Sequence, residues 1–477
     1  MINRRQLVSA LAATAAAGFP CHSPAAPAAS ETPLPIPELL DARAQGNAVR
    51  LVAAKNPHTF LPGHPAQAYG YSGSVLGPAI RVRRGEEVEM AVENKLDRGT
   101  TVHWHGLIIP SHLDGAPHDT IAPGQTWRPV LKIDQPEATA WFHPHTHRET
   151  ARQVYFGFGG LMLIDDGSGE RFGLPRSYGI DDIPLIIQDR NFDSNGRLTY
   201  DAGPMTVMHG FRGHTIMVNG AVAPVAKVPA GLVRLRVLNA SNARNYNLSF
   251  VDQRNFHIIA SDGGYLAAPV KLAELVIAPA ERFELLVDFS DKTSAVLQTT
   301  PDPFTPAGGG ADFERLMTFK PDETKSAVTT IPKSLAAIEA PDTSKAARRR
   351  NFVLNDHMMG MMMGGPRGPA MAINSRSFDM GRVDVRLRQG ETEIWQVESE
   401  MLAHPFHIHG VQFRVLSIDG RKPAPHLQGW KDTVLVPRAA EMLVRFTQQA
   451  TPDHPFMYHC HILEHEDAGM MGQYVCA

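Results

Sequence analysis

Four short segments of this 477-residue chain each carry two histidines one residue apart: His103-Trp104-His105, His143-Pro144-His145, His407-Ile408-His409 and His459-Cys460-His461. On a β-strand, residues i and i+2 leave the same face, so each pair presents two imidazoles side by side. A lone histidine is usually structural. Four such pairs imply metal, although imidazole suits copper, zinc, iron or nickel alike. The last segment narrows the choice. Cys460 alternates with His459 and His461, so its sulfur points away from their rings and serves a different ion. Cys460 and His465, a second histidine (His404 or His407) and a thioether (Met470 or Met471) form the two-His, one-Cys set with weak axial methionine that marks blue electron-transfer copper. The run His461-Ile462-Leu463-Glu464-His465 also matches the H-x-x-E-H pattern of a zinc protease. That chemistry needs both histidines on one helix face with no thiolate beside them, and it leaves the other three pairs unexplained.

The elements that must position these residues read as strands. Short apolar runs such as those in 79–92, 233–238, 284–289, 393–397 and 442–446 are separated by Gly/Pro turns, the pattern of β-sandwiches. An internal repeat organises them. Gly85, Gly231 and Gly390 each open a strand, at separations of 146 and 159 residues. After a two-residue shift, the second and third copies align at an offset of 157, which lays Asn247, Phe250 and Asp252 over His404, His407 and His409. The middle copy therefore keeps the fold and has none of these histidines. The expected organisation is all-β, three cupredoxin-like Greek-key sandwiches over residues 35–167, 180–319 and 350–477, with a polar, Pro-punctuated linker over 320–349.

Formal net charge is −3, which offers no basic excess for a nucleic-acid partner. The one basic cluster, Arg348-Arg349-Arg350, reads as a solvated linker end. Arg4-Arg5 followed by the Ala-rich apolar stretch from Leu7 to Pro20 reads as a cleaved twin-arginine export signal over residues 1–29, which predicts a periplasmic protein. No other stretch approaches the length of a membrane span. With Cys21 inside that signal, Cys460 and Cys476 remain; Cys460 belongs to the ligand cluster, and Cys476 reads as a free, peripheral thiol.

These segments resemble the multicopper oxidase family, in particular its three-domain periplasmic copper-efflux and bacterial laccase-like branch. Trp141-Phe142-His143-Pro144-His145, Pro184 to Arg190, Gly429-Trp430-Lys431-Asp432 and the C-terminal run carry the resemblance over almost the whole chain. It implies four copper ions. His404, Cys460 and His465, with Met470 axial, correspond to the type 1 ligands, and His103 and His407 to the type 2 ligands. His105, His143, His145, His409, His459 and His461 correspond to the type 3 pair. His112 and His147 are left as non-ligands. Single electrons would enter at the first site and pass through Cys460 into His459 and His461, and four electrons and four protons would convert dioxygen to two waters. Asp114 and Glu466 correspond to the family's proton-relay acids.

The run from His357 to Pro366 holds Met358, Met359 and Met361, soft thioethers suited to Cu(I). A short, Gly-broken segment of this kind also reads as an adaptable apolar lid. Glu400 stands where related copper-efflux oxidases place an acid at the substrate copper, whereas Met401-Leu402 and His357 depart from their pattern. The expected reductants are Cu(I), small phenolic compounds or both, with dioxygen as acceptor, for a protein read as a monomer serving copper homeostasis. Two other classes compete: an envelope protein that sequesters copper without turnover, and a copper-free scaffold of the same fold.

Overall fold

The protein was analysed as a computed structural model that describes residues 31–304, 313–356 and 371–477. The expected export signal and the segment with Met358, Met359 and Met361 lie outside the described residues.

Six sheets form three two-layered sandwiches, each with its own apolar core. In the first sandwich Ala48–Leu61 turns Val49, Leu51 and Ala53 inward, while the alternate residues Ala48, Arg50, Val52 and Ala54 are exposed or half-buried. The repeat is visible in the topology. In the middle sandwich one sheet runs in the order Val225–Ala230, Glu314–Lys325, Ala295–Thr300, Tyr246–Phe250, Glu274–Ile277. In the third, the matching order is Val385–Leu387, Met471–Cys476, Phe456–Cys460, His404–Ile408, Thr433–Val436. Asn247 thus occupies the place of His404. Ser249 pairs with Gln298 as Phe406 pairs with Cys460, so Leu297, Gln298 and Thr299 stand where the third sandwich has His459, Cys460 and His461. The repeat glycines do what the alignment asks: Gly85 and Gly390 take φ of 91° and 89°, a left-handed turn ahead of the strands Glu87–Asn94 and Thr392–Ser399.

Between the first and middle sandwiches, alternation alone misleads. In Leu232–Asn239 the residues Val233, Leu235 and Val237 face the core, and the opposite face carries Arg234 and Arg236. That second face is buried as well, because the first sandwich covers it. Arg234 meets Glu284 at 2.5 Å and Glu137 at 3.3 Å, while Arg236 meets Asp182 at 2.7 Å and donates to Thr139 at 2.9 Å. Such charges are tolerated in a dry interface only when fully paired.

Three expectations change. The middle sandwich's last strand continues to Lys325, past the expected linker start at Lys320. Arg348-Arg349-Arg350 opens the strand Arg348–Asp356 rather than ending the linker; Arg348 and Arg349 are exposed as expected, and Arg350 pairs with Glu393 at 2.6 Å. Cys476 is a free thiol as expected, but it is buried on the final strand rather than peripheral. Among the described residues no helix is long and apolar enough to cross a membrane.

Candidate metal centre

Two groups of ligand-type side chains lie back to back. In the first, His404 and His465 present Nδ1 atoms 3.2 and 3.8 Å from Cys460 Sγ and 3.3 Å from one another. Cys460 ends the strand Phe456–Cys460, and His465 sits on the one-turn helix Leu463–Asp467. His465 Nε2 donates to Met208 O at 3.3 Å, which leaves Nδ1 as a bare lone pair. Burial pushes the Cys460 thiol well above its ordinary range, and Ile462 N–H, donating to the sulfur at 3.3 Å, works against that shift. The strand register separates the two candidate histidines, and the core each joins distinguishes the two methionines. His404, not His407, meets Cys460, and Met470 shares the fully buried core around Cys460 while Met471 packs with Met457 and Phe378.

The second group gathers eight histidines, four from each of the first and third sandwiches. Their rings interleave, His105 stacking on His407 at 3.7 Å and His103 on His409 at 3.8 Å between centroids. His103 Nδ1 donates to Asp114 O at 3.1 Å and His407 Nδ1 to Asp432 O at 2.8 Å. Both Nε2 atoms are then acceptors, yet they face each other at 3.4 Å. The Nε2 atoms of His145 and His409 likewise face that of His459 at 3.2 and 3.1 Å. His459 Nδ1 donates to Cys460 O at 2.9 Å, and His409 Nδ1 to Asp114 Oδ2 at 2.7 Å. Neither nitrogen of buried His461 has a partner, and its ring lies 5.2 and 5.3 Å from those of His105 and His143. Lone pairs turned on lone pairs in a dry site fit cations between them; within the protein alone they would be unsatisfied. Cys460 Sγ serves one group while its neighbours His459 and His461 serve the other, so three consecutive residues join the two.

The acids fall where the sequence places them. Asp114 is fully buried against His409, and Glu466 lies 3.3 Å from His145 Nδ1 and 3.2 Å from His459 Nδ1. Burial, with the Asp467 charge beside it, pushes the Glu466 carboxyl well above the usual range. His112 is exposed, and His147 packs beside Phe378; neither joins a group. Glu400 is exposed and accepts a hydrogen bond from Asn355 at 2.9 Å. His465 lies with His404 and Cys460, whereas the His461 ring lies against those of His105 and His143, which excludes the zinc-protease arrangement. Sequence reasoning missed Asp432, whose Oδ1 lies 3.0 Å from His105 Nε2. It lay inside the Gly429–Asp432 motif, and nothing in the motif says which histidine it meets.

Burial and the neighbouring imidazoles hold His105, His143, His145, His407, His409, His461 and His465 well below the ordinary histidine range. His404 is held at about 4 and His459 at about 3, again chiefly by burial. Neutral rings keep the lone pairs that a metal needs. They also set an acid limit on the copper-free protein. An unfolded chain protonates its histidines near pH 6.5, so below that pH the unfolded state binds more protons and stability falls. Each such ring contributes a loss of about 1.4 kcal/mol per pH unit until its folded value is reached. Urea midpoints of copper-free protein are expected to drop steadily from pH 6.5 to pH 4. A flat profile over that window would mean that the folded cluster already carries protons.

Family profiles described as multicopper oxidase match residues 53–169, 187–297 and 349–477. The chain belongs to the multicopper oxidase family, and the family implies copper. Among solved structures it is similar to a bacterial laccase-like multicopper oxidase, CueO, from an Ochrobactrum species, with 45% identity and a TM-score of 0.88 over 93% of this chain and 100% of that one. A laccase from Pediococcus acidilactici is 36% identical, with a TM-score of 0.82 over 94% of each chain. By sequence it is 36% identical to the cell division protein FtsP of Xenorhabdus nematophila, over 99% of this chain and 98% of that protein.

Proposed function

We propose that the protein is an oxygen-reducing multicopper oxidase holding four copper ions. His404, Cys460, His465 and Met470 would hold the type 1 ion, and His103 and His407 the type 2 ion. His105, His143, His145, His409, His459 and His461 would hold the type 3 pair. The observation that carries this reading is the set of buried imidazole nitrogens facing one another behind Cys460, with every ligand position filled. When bound, the copper ions supply one-electron oxidation of a donor and four-electron reduction of dioxygen to two waters.

The chain's own part is to orient, to exclude water and to deliver protons. Backbone carbonyls of Asp114, Asp432, Pro144 and Cys460 hold four Nδ1 protons outward, at 2.8–3.1 Å. Trp141 stacks on His143 at 4.1 Å and closes one side of the cluster. Glu466, its carboxyl pushed up by burial, lies beside His145 and His459, and Asp114 accepts from His409, so each places an acid at the cluster.

For the donor, the Ochrobactrum relative acts on lignin model compounds and lignosulfonate, which favours phenols. Cu(I) remains the second donor of the proposal, through Glu400 with Met358, Met359 and Met361, in a periplasmic monomer exported by the twin-arginine route and serving copper homeostasis. The copper-loaded protein is expected to be blue and to consume oxygen with a phenol or Cu(I). Colourless protein with no oxygen uptake would overturn the reading. The FtsP relatives favour a second reading, a part in cell division, which asks nothing of the ligands. In that case a chain lacking Cys460 would restore normal division to a deletion strain as well as the intact one does.

A further inference from the structure

The middle sandwich contributes no candidate ligand, yet one of its side chains reaches the histidine cluster. Arg282, on the strand Arg282–Asp288, is fully buried and uses all five guanidinium N–H groups. Nε donates to Thr139 O at 3.0 Å, on the strand that leads to His143. Nη1 donates to Ala280 O at 3.0 Å and Nη2 to Asp262 O at 3.2 Å. The remaining two N–H groups grip Asp432 as a fork, Nη1 on Oδ1 at 2.7 Å and Nη2 on Oδ2 at 2.5 Å. A bidentate grip fixes the plane of a carboxylate as well as its position. Here that plane puts Oδ1 3.0 Å from His105 Nε2 and 2.9 Å from the Thr433 hydroxyl.

His105 differs from its neighbours for this reason. His103, His407, His409 and His459 commit Nδ1 outward and turn Nε2 inward. His105 commits Nε2 to Asp432 and turns Nδ1 inward, 3.3 Å from His143 Nε2. A second observation is independent of these bonds. A Cβ on Gly106, the residue after His105, would stand 2.7 Å from Arg282 Nη2 and 2.9 Å from Asp432 Oδ2. Gly106 takes a φ of 92°, which favours glycine in itself, and a side chain there would also press on this ion pair.

We propose that Arg282 is a positioning residue for the cluster: gripping Asp432 from the ligand-free middle sandwich, it holds His105 in the Nε2–H tautomer with Nδ1 free for metal. The proposal rests on the oxidase reading for its metal, but the tautomer is a property of the chain alone, and that separates the two tests. In copper-free protein labelled with 15N in histidine, the His105 ring signals are assigned by their loss in His105→Gln. They are expected to show the Nε2–H form in the unsubstituted protein. In Arg282→Met, Asp432 is free to turn, and a mixture with the Nδ1–H form is expected. Arg282→Lys, which keeps the charge but loses the two-pronged grip, should show less of the Nδ1–H form than Arg282→Met yet measurably more than the unsubstituted protein, and so covers the case in which the methionine variant does not fold. Arg244→Met breaks another buried middle-sandwich pair, with Asp189 at 3.1 Å, and should leave His105 unchanged. On copper loading, Arg282→Met should bind copper at the cluster about 10–100-fold more weakly and keep the blue band of the Cys460 group.

An unchanged His105 tautomer in both Arg282 variants, or an equal change in Arg244→Met, would overturn the proposal. If the unsubstituted protein takes up no copper, the oxidase reading fails, and the nitrogen signals still decide the role of Arg282.

Discussion

Cys460→Ser is expected to give a folded protein that still takes up copper at the eight histidines but is colourless and reduces oxygen only at background. Serine nearly matches cysteine in size, and its hydroxyl can still accept from Ile462 N–H, now 3.3 Å from the sulfur. What changes is ligand softness: an alcohol oxygen is a poor substitute for a thiolate in the site that marks blue copper. The sulfur points away from the rings of His459 and His461, so the cluster behind it loses no contact. Three measurements read the outcome: copper per chain, visible absorption and oxygen uptake with a phenol. Retained blue colour would move the first group away from Cys460. Retained uptake in a colourless protein would show that electrons reach the cluster without it.

The parts of this site that were legible in the sequence are the parts that are local. A strand's two-residue period places each histidine pair on one face, and the same period turns Cys460 away from its neighbours. The choice between His404 and His407, and between Met470 and Met471, depends on what lies opposite or around each residue once the strands assemble. Spacing alone does not contain that. The pairing of Phe406 with Cys460 and of His407 with His459 puts His404 on the face of Cys460, and the two methionines are told apart only by the cores they join. The middle sandwich shows the converse. Its missing histidines were readable by alignment, whereas its contribution to the cluster was not. Arg282 and Asp432 are separated by 150 residues, and an arginine in an alternating strand reads as a solvated side chain. Arg234 and Arg236 mislead in the same way. Cys476 read as peripheral because it is next to last, yet its strand is clamped between Val385–Leu387 and Phe456–Cys460. Long-range burial decides each of these cases, and composition near the residue does not encode it.

Glu466→Gln is expected to lower turnover by about 10²–10⁴-fold, the usual worth of a positioned proton donor, with the blue colour unchanged. Reducing oxygen to water consumes protons, and the cluster is buried, so a group beside it is placed to hand them over. Glu466 is suited to that because burial pushes its carboxyl well above the usual carboxylate range, within 3.3 Å of His145 and 3.2 Å of His459. Glutamine matches its shape and hydrogen-bonding reach but has no proton to give. Since Glu466 faces the histidine cluster and not Cys460, the electron-entry group should keep its absorption, and the donor should still bleach it. The decisive comparison is therefore between the rate of bleaching by a donor, expected to hold, and the rate of reoxidation by oxygen, expected to fall. Asp114→Asn tests the other flank, where the carboxylate accepts from His409 at 2.7 Å. If Glu466→Gln turns over within about threefold of the unsubstituted protein, a factor too small for a lost proton donor, protons enter by the Asp114 side instead.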